Sequence, residues 1–244
     1  MAAGGSAGFV DSIAGGGGII TLPALLAAGL PPTLALGTNK LQSSFGSLTA
    51  SVRYGAAGLV RPGDMAPGIL ATAAGAGLGA LAVGAIDAGL LRFLVPSLLL
   101  GILLFLALRP RFGLQGGARK LPLLPFWIGS GLVLGFYDGF FGPGTGTFWA
   151  MALVGLAGLD LREATARTKV VNFASNLVSL AIFATAGSVV VAVGLAMGAA
   201  EVAGAWAGSR MVLKRGAGLV RGMTLGVTAA MIAYVVLRYW AKVI

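Results

Sequence analysis

An all-α polytopic membrane protein made of two related halves follows from three features of this sequence. Hydrophobic residues make up 57% of the 244 positions, and only 10% are charged. Four stretches (12–39, 65–86, 139–159 and 170–200) contain no Asp, Glu, Lys or Arg. A helix needs about 20 such residues to cross the hydrocarbon, and a soluble domain of this length would not bury so many. Finally, a glycine-rich segment with one acidic residue occurs twice. Together they predict two homologous halves arranged as inverted-topology repeats, with broken or re-entrant half-helices at the glycine-rich motifs.

The elements follow in order. A stub is expected over 1–14, ending in "GFVDSIAGGGG" at positions 8–18. Four consecutive glycines are poor helix formers. The next apolar segment, 19–30, is about 18 Å long as a helix, too short to cross comfortably. "LPP" at 30–32 stops it, because proline lacks an N–H and restricts its predecessor. Helices are then expected near 35–57, 65–86 and 90–108. The segment 109–120 carries four basic residues and no acid, which places it in the cytoplasm. The second half is expected to contain 121–140, a short segment 147–158, and helices at 165–186, 189–209 and 221–240. The domains are thus 1–108, the basic linker 109–120, and 121–244.

The repeat is explicit. "GFVDSIAGGGG" returns as "GFYDGFFGPGTG" at 135–146, so that Gly8, Phe9, Asp11, Gly15 and Gly17 match Gly135, Phe136, Asp138, Gly142 and Gly144. Two residues later in register, Gly29, Leu30, Ala35, Lys40 and Gly58 match Gly158, Leu159, Ala164, Lys169 and Gly187. The second copy is preceded by "LPLLPFWIGSGLVL", most of a helix, whereas only seven residues precede Gly8. The expectation is a shortened first helix. Arg53 and Arg61 surround the first-half turn near Gly58, while the turn near Gly187 has no base. Conversely, the first-half turn at Asp87 is poor in bases, while its counterpart has Arg210, Lys214, Arg215 and Arg221. The bias swaps between copies, as inverted repeats require.

Composition narrows the chemistry. Without cysteine or histidine, disulfides, thiol catalysis, Ser-His pairs and most zinc sites are excluded. Seven acidic residues do not suggest a carboxylate metal cage. The net charge of +10 reads as loop Lys and Arg in a membrane protein rather than as a nucleic-acid surface. "GGGG" lacks the Lys-Ser/Thr of a phosphate-binding loop, so no cofactor is expected.

The broken backbone suggests a binding site. Irregular backbone at membrane depth is tolerated where it lines a cavity or is buried in protein, and two breaks in matching positions point to a transporter's site. Half-helix N-termini present N–H groups and a positive dipole end, which favour anions. The expected anion site comprises Gly15, Gly16, Gly17, Gly142 and Gly144 with Thr38, Asn39, Lys40, Ser43, Thr168, Lys169 and Asn172. Ser43, Ser44 and Ser47 share a helical face with Lys40; Asn176 continues the stripe from Lys169 and Asn172. Coupling candidates are Asp11, Asp138 and Glu201, since an intramembrane carboxylate is a functional candidate by default. Structural readings compete at each position. Glycines also permit close helix packing, and Ser or Asn also bond neighbouring helices. Lysines snorkel, and the two Asp can cap helices or pair with the lysines. Arg167, nearer a helix end, reads as an interfacial residue.

At these residues the sequence resembles a family. "GFVDSIAGGGGIITLPALLAAGLPPTLALGTNKLQSSFGSLTASVRY" resembles the first block of the sulfite exporter TauE/SafE family. "GFYDGFFGPGTGTFWAMAL…ATARTKVVNFASNLVSL" is similar to its second. The likeness covers nearly the whole chain. It implies a bacterial inner-membrane permease with about eight spans, moving sulfite, sulfoacetate or related sulfur oxyanions and organosulfonates. The expected partners are a small inorganic or organic anion and the lipid bilayer, with no nucleic acid; a homo-oligomer is left open. An anion channel and a structural membrane protein remain as alternatives.

Overall fold

The structure, a computed structural model, describes residues 1–108 and 120–226. The described residues are helical, without strands. The helices are α1 (Ala2–Ala14), α2 (Gly17–Ala27), α3 (Pro32–Ala56), α4 (Ala66–Gly84, preceded by a 3-10 turn at Pro62–Met65), α5 (Ala88–Leu108), α6 (Leu123–Phe140), α7 (Thr145–Gly155), α8 (Leu161–Thr185) and α9 (Val191–Arg215), followed by helix over 217–226. The expected linker 109–120, apart from Lys120, and the part of the expected helix 221–240 beyond 226 lie outside the described residues.

Several boundaries differ from expectation, the helix expected from 221 already running from 217, and two of the differences have local reasons. Helix α8 begins four residues early because Asp160 caps it, its carboxylate accepting from the N–H groups of Arg162 and Glu163 at 2.8 and 3.0 Å; an N-cap of this kind satisfies otherwise orphaned donors. Helix α9 continues through the bases read as a loop and stops only at Gly216, with φ of 68°. Lys214 and Arg215 thus occupy its last turn, where cations complement the carbonyl end of the helix.

Among the described residues, four helices are long and apolar enough to cross a membrane: Pro62–Gly84, Leu123–Phe140, Leu161–Thr185 and Val191–Arg215. Leu70, Leu78 and Leu81 on α4 and Val133 on α6 are large apolar side chains on the outside of the fold, as a lipid-facing surface requires. Helices α2 and α7 have eleven residues each.

Packing follows the repeat. Helix α4 lies along α6, and α1 lies along α9; α3 packs on α9, and α8 on α4; α3 and α8 meet each other. Exchanging α1–α4 for α6–α9 leaves this pattern unchanged. The close pairs are glycine seams. A Cβ on Gly79 or Gly139 would fall on the carbonyl of Phe136 or Ala76, and a Cβ on Gly8 or Gly204 on that of Glu201 or Gly5. In a membrane, where apolar side chains gain nothing by leaving lipid, such backbone approach supplies the packing contact. The matched turn glycines also keep their conformation: Gly29 and Gly158 have φ of 87° and 74°, and Gly58 and Gly187 have 74° and 66°.

Candidate functional site

The two breaks meet. Gly15 has φ of 74° and Gly16 of 103°, between α1 and α2; Gly142 has 98° and Gly144 has 84°, between α6 and α7. A Cβ on Gly15 would lie 2.5 Å from the carbonyl carbon of Gly146, and one on Gly18 would lie 3.2 Å from the Cα of Pro143. The loops therefore touch backbone to backbone. A side chain at Gly15 is excluded both by its left-handed φ and by contact.

Beside this contact is a cavity of about 30 Å³ lined by Asp11, Gly16, Gly18, Asn39, Ser43, Asp138, Gly142, Gly144, Thr145, Gly146, Asn172 and Asn176. It has room for about one or two waters. Helix α3 contributes Asn39 and Ser43, and α8 contributes Asn172 and Asn176. Positions four apart stack on one helical face, so each long helix presents a polar stripe here.

Both lysines are buried and paired across the halves. Lys40 donates to Asp138 Oδ1 at 2.8 Å and to Asn176 Oδ1 at 3.2 Å. Lys169 donates to Asp11 Oδ2 at 2.9 Å. Each aspartate also attends the start of its own half's short helix. Asp11 Oδ1 accepts from the N–H groups of Gly16 and Gly17 at 3.1 and 3.2 Å. Asp138 Oδ1 accepts from the Thr145 hydroxyl at 3.2 Å, and its Oδ2 from Ser175. Pairing with a lysine holds at both aspartates, whereas capping by backbone N–H groups holds only at Asp11; Asp138 meets the hydroxyls of Thr145 and Ser175 instead. The four charges sum to zero, and the carboxylates occupy the positions an anion would favour.

The structure divides the expected site residues. Asn39, Ser43, Asn172, Gly16, Gly142, Gly144, Asp11 and Asp138 line the cavity, and Lys40 and Lys169 stand behind its carboxylates. Thr38 does not line it: its hydroxyl accepts from the Val190 N–H at 2.9 Å. Thr168 bonds the Ala164 carbonyl of its own helix at 2.8 Å. Gly15 and Gly17 shape the break without lining the cavity. Glu201 lies away from it, against Gly8 and Gly46. Arg167 pairs with Glu163 along α8.

Gly18, Thr145, Gly146 and Ser175 were not anticipated. Thr145 and Gly146 belong to the "GPGTG" run and carry a readable signal; Ser175 is one turn from Asn172 and was legible from that stripe. Asn172 Oδ1 is buried without a hydrogen-bond partner among the described residues, leaving one acceptor available beside the cavity. Among the described residues no group of His, Cys, Asp and Glu is placed to hold a metal ion.

Comparison with known proteins identifies the family. Residues 1–235 match the family described as sulfite exporter TauE/SafE. The probable membrane transporter protein ORF9 of a Sinorhizobium species is 43% identical over 225 residues, 92% of this chain and 86% of that relative. The probable membrane transporter protein YfcA of Escherichia coli is 44% identical over 227 residues, 93% of this chain and 84% of the relative. A probable membrane transporter protein of Haemophilus influenzae is 41% identical over 230 residues, 94% and 90% respectively. These are names of transporters, not of enzymes. No solved structure gives a significant match.

Proposed function

Because the chain belongs to the sulfite exporter TauE/SafE family of multi-pass membrane transporters, we propose that it is a secondary carrier of small oxyanions in the bacterial inner membrane. The substrates in this reading are sulfite, sulfoacetate or related sulfur oxyanions and organosulfonates. The observation that carries it is the crossed pairing of Lys40 with Asp138 and Lys169 with Asp11 around a glycine-lined cavity. An entering oxyanion takes the lysines from the carboxylates. It gains the amides of Asn39, Asn172 and Asn176 and the hydroxyls of Ser43 and Thr145, donors suited to a small polyoxygen anion.

Both lysines are held by carboxylates at the cavity wall, so in this reading binding separates at least one pair. Each pair joins the two halves, so releasing it frees one half to move against the other. Alternating access in repeat transporters is largely such a rocking motion around a fixed central site. In this reading the halves are inverted repeats and the segments around α2 and α7 are re-entrant. The buried ion pairs, which each cycle must break and remake, favour a carrier over a continuously open anion channel.

The test is thermal unfolding of the detergent-purified protein with sulfite, sulfate, thiosulfate, sulfoacetate, taurine or acetate at matched ionic strength. A ligand binding only the folded form stabilises it by about 2.7 kcal/mol at 100 times its Kd. A sulfur oxyanion is expected to raise Tm. Each variant is compared with its own ligand-free Tm. The shift should vanish in Lys40→Ala and Lys169→Ala and persist in Arg215→Ala, whose side chain is exposed in the last turn of α9. No shift with any of the anions, or equal losses in all three variants, would overturn the assignment.

A further inference from the structure

The halves agree around the cavity and diverge beside it. Ser12, Gln42, Tyr54 and Glu201, where α1, α3 and α9 meet, have the counterparts Gly139, Val171, Phe183 and Thr72 in the other half. The amide, phenol and carboxyl groups of this seam lie on one side only; the other has a single hydroxyl, that of Thr72. The Tyr54 hydroxyl donates to the Ser12 carbonyl at 2.6 Å. Gln42 Nε2 donates to Asn39 Oδ1 at 3.0 Å, while its Oε1 is buried without a partner among the described residues.

Glu201 is 2% exposed, and its Oε2 has no hydrogen-bond partner among the described residues. Two glycines make room for it. A Cβ on Gly46 would lie 2.5 Å from Glu201 Oε1, and one on Gly8 would lie 2.7 Å from its Cγ. The ionisable groups around it are engaged elsewhere. On α1, Asp11 holds Lys169 of α8. On α3, Lys40 holds Asp138, Tyr54 bonds Ser12, and Arg53 lies over the Trp206 ring at 4.9 Å. On its own helix, Arg210 lies over the same ring at 5.3 Å.

We infer that Glu201 is a proton-binding site through which the carrier couples anion movement to the proton gradient, one proton per anion. This rests on the carrier reading above. A buried carboxylate with no ion-pair partner among the described residues is costly, and taking a proton from water converts it to the neutral acid. Asp11 lies one helical turn from Gly8, so the charge on Glu201 acts directly on the Asp11–Lys169 pair. Ionised, Glu201 adds negative charge beside the Asp11–Lys169 pair and opposes an anion arriving there; protonated, it removes that repulsion. Proton and anion therefore bind together. Thr72, its counterpart, bonds the Gly68 carbonyl of its own helix at 2.6 Å and carries no titrating group, so the coupling site exists once while the anion site draws on both halves.

Two measurements on wild type and Glu201→Gln test this. The first needs no substrate: infrared difference spectra of the purified protein between pH 8 and pH 4 follow the C=O stretch of buried carboxylic acids. One such band is expected in wild type and absent in E201Q; identical spectra would overturn the inference. The second uses proteoliposomes with radiolabelled sulfite or thiosulfate, comparing accumulation under a pH gradient with exchange at equal pH. In wild type, with the membrane potential clamped at zero, the inside-to-outside ratio of the anion should rise about tenfold for each unit of pH gradient, and in E201Q it should be independent of the gradient. A pH-dependent ratio retained by E201Q overturns the inference, as does folded E201Q that performs no exchange, which would place Glu201 in the anion site. If wild type exchanges neither anion, the sulfur-oxyanion reading fails while the infrared titration still decides the proton site.

Discussion

Lys40 and Asp138 are both nearly inaccessible, with side chains 2% and 5% exposed. Removing one partner of such a pair leaves a buried charge without compensation, which costs about 3–5 kcal/mol. Lys40→Ala is therefore expected to destabilise strongly, and the double variant Lys40→Met, Asp138→Leu should recover most of the loss, because a well-packed apolar pair removes both desolvation costs. Lys169→Ala should cost less. Asp11 is 18% exposed and keeps two backbone N–H partners at the start of α2. Urea unfolding of the four proteins in detergent checks the order; an equal cost for both lysines would contradict it. The residue types of this site were legible in sequence, but the partners were not. Lys40 and Asp138 are 98 positions apart, Lys169 and Asp11 158, and no local rule says which half's carboxylate meets which lysine. "GTNK" also reads as one group of donors, yet consecutive helical residues point about 100° apart. Thr38 consequently faces the α8–α9 connection while Lys40 turns to Asp138 of the cavity wall.

At the scale of the helix, the glycines divide by contact. Gly135 in α6 and Gly204 in α9 each sit on a neighbour's backbone, whereas Gly129, also in α6, has nothing within 4 Å of a Cβ. Overpacking a tight contact costs about 1–3 kcal/mol, and replacing an exposed helical glycine by alanine gains up to about 1 kcal/mol of propensity. Gly135→Ala and Gly204→Ala should thus lower Tm, while Gly129→Ala should leave it unchanged or raise it; a loss at Gly129 like that at Gly135 would refute the seam. Sequence alone could not separate these glycines, because composition does not show which helix lies alongside. It did locate the short helices, since the flanking glycines and "LPP" act locally. It missed the early start of α8 and the late end of α9 for a related reason: Asp160 falls between two expected helices and the terminal bases in an expected turn, although both residue types are favoured at helix ends.

For the whole molecule, the open question is the direction of the two-fold relation. Helix packing is unchanged when the halves are exchanged, but a two-fold along the membrane normal and one within its plane both satisfy that. Charge distinguishes them. The turn after α3 is flanked by Arg53 and Arg61, and the end of α9 by Lys214 and Arg215, while the turns after α8 and α4 have no flanking cluster of bases. If bases mark the cytoplasm, α3 ends inside and its counterpart α8 ends outside, which only an in-plane axis allows. Ala57 and Ala186 occupy matching C-caps, with φ, ψ of −84°, 2° and −80°, 4°, and both are exposed. The chain has no cysteine, so Ala57→Cys and Ala186→Cys report position without background. In intact spheroplasts a membrane-impermeant maleimide should label Ala186→Cys and reach Ala57→Cys only after lysis. Labelling of both from one side would make the repeats parallel. The crossed lysine–aspartate pairs would then tie together two halves facing the same way, and rocking one against the other would no longer exchange the cavity between the two sides of the membrane.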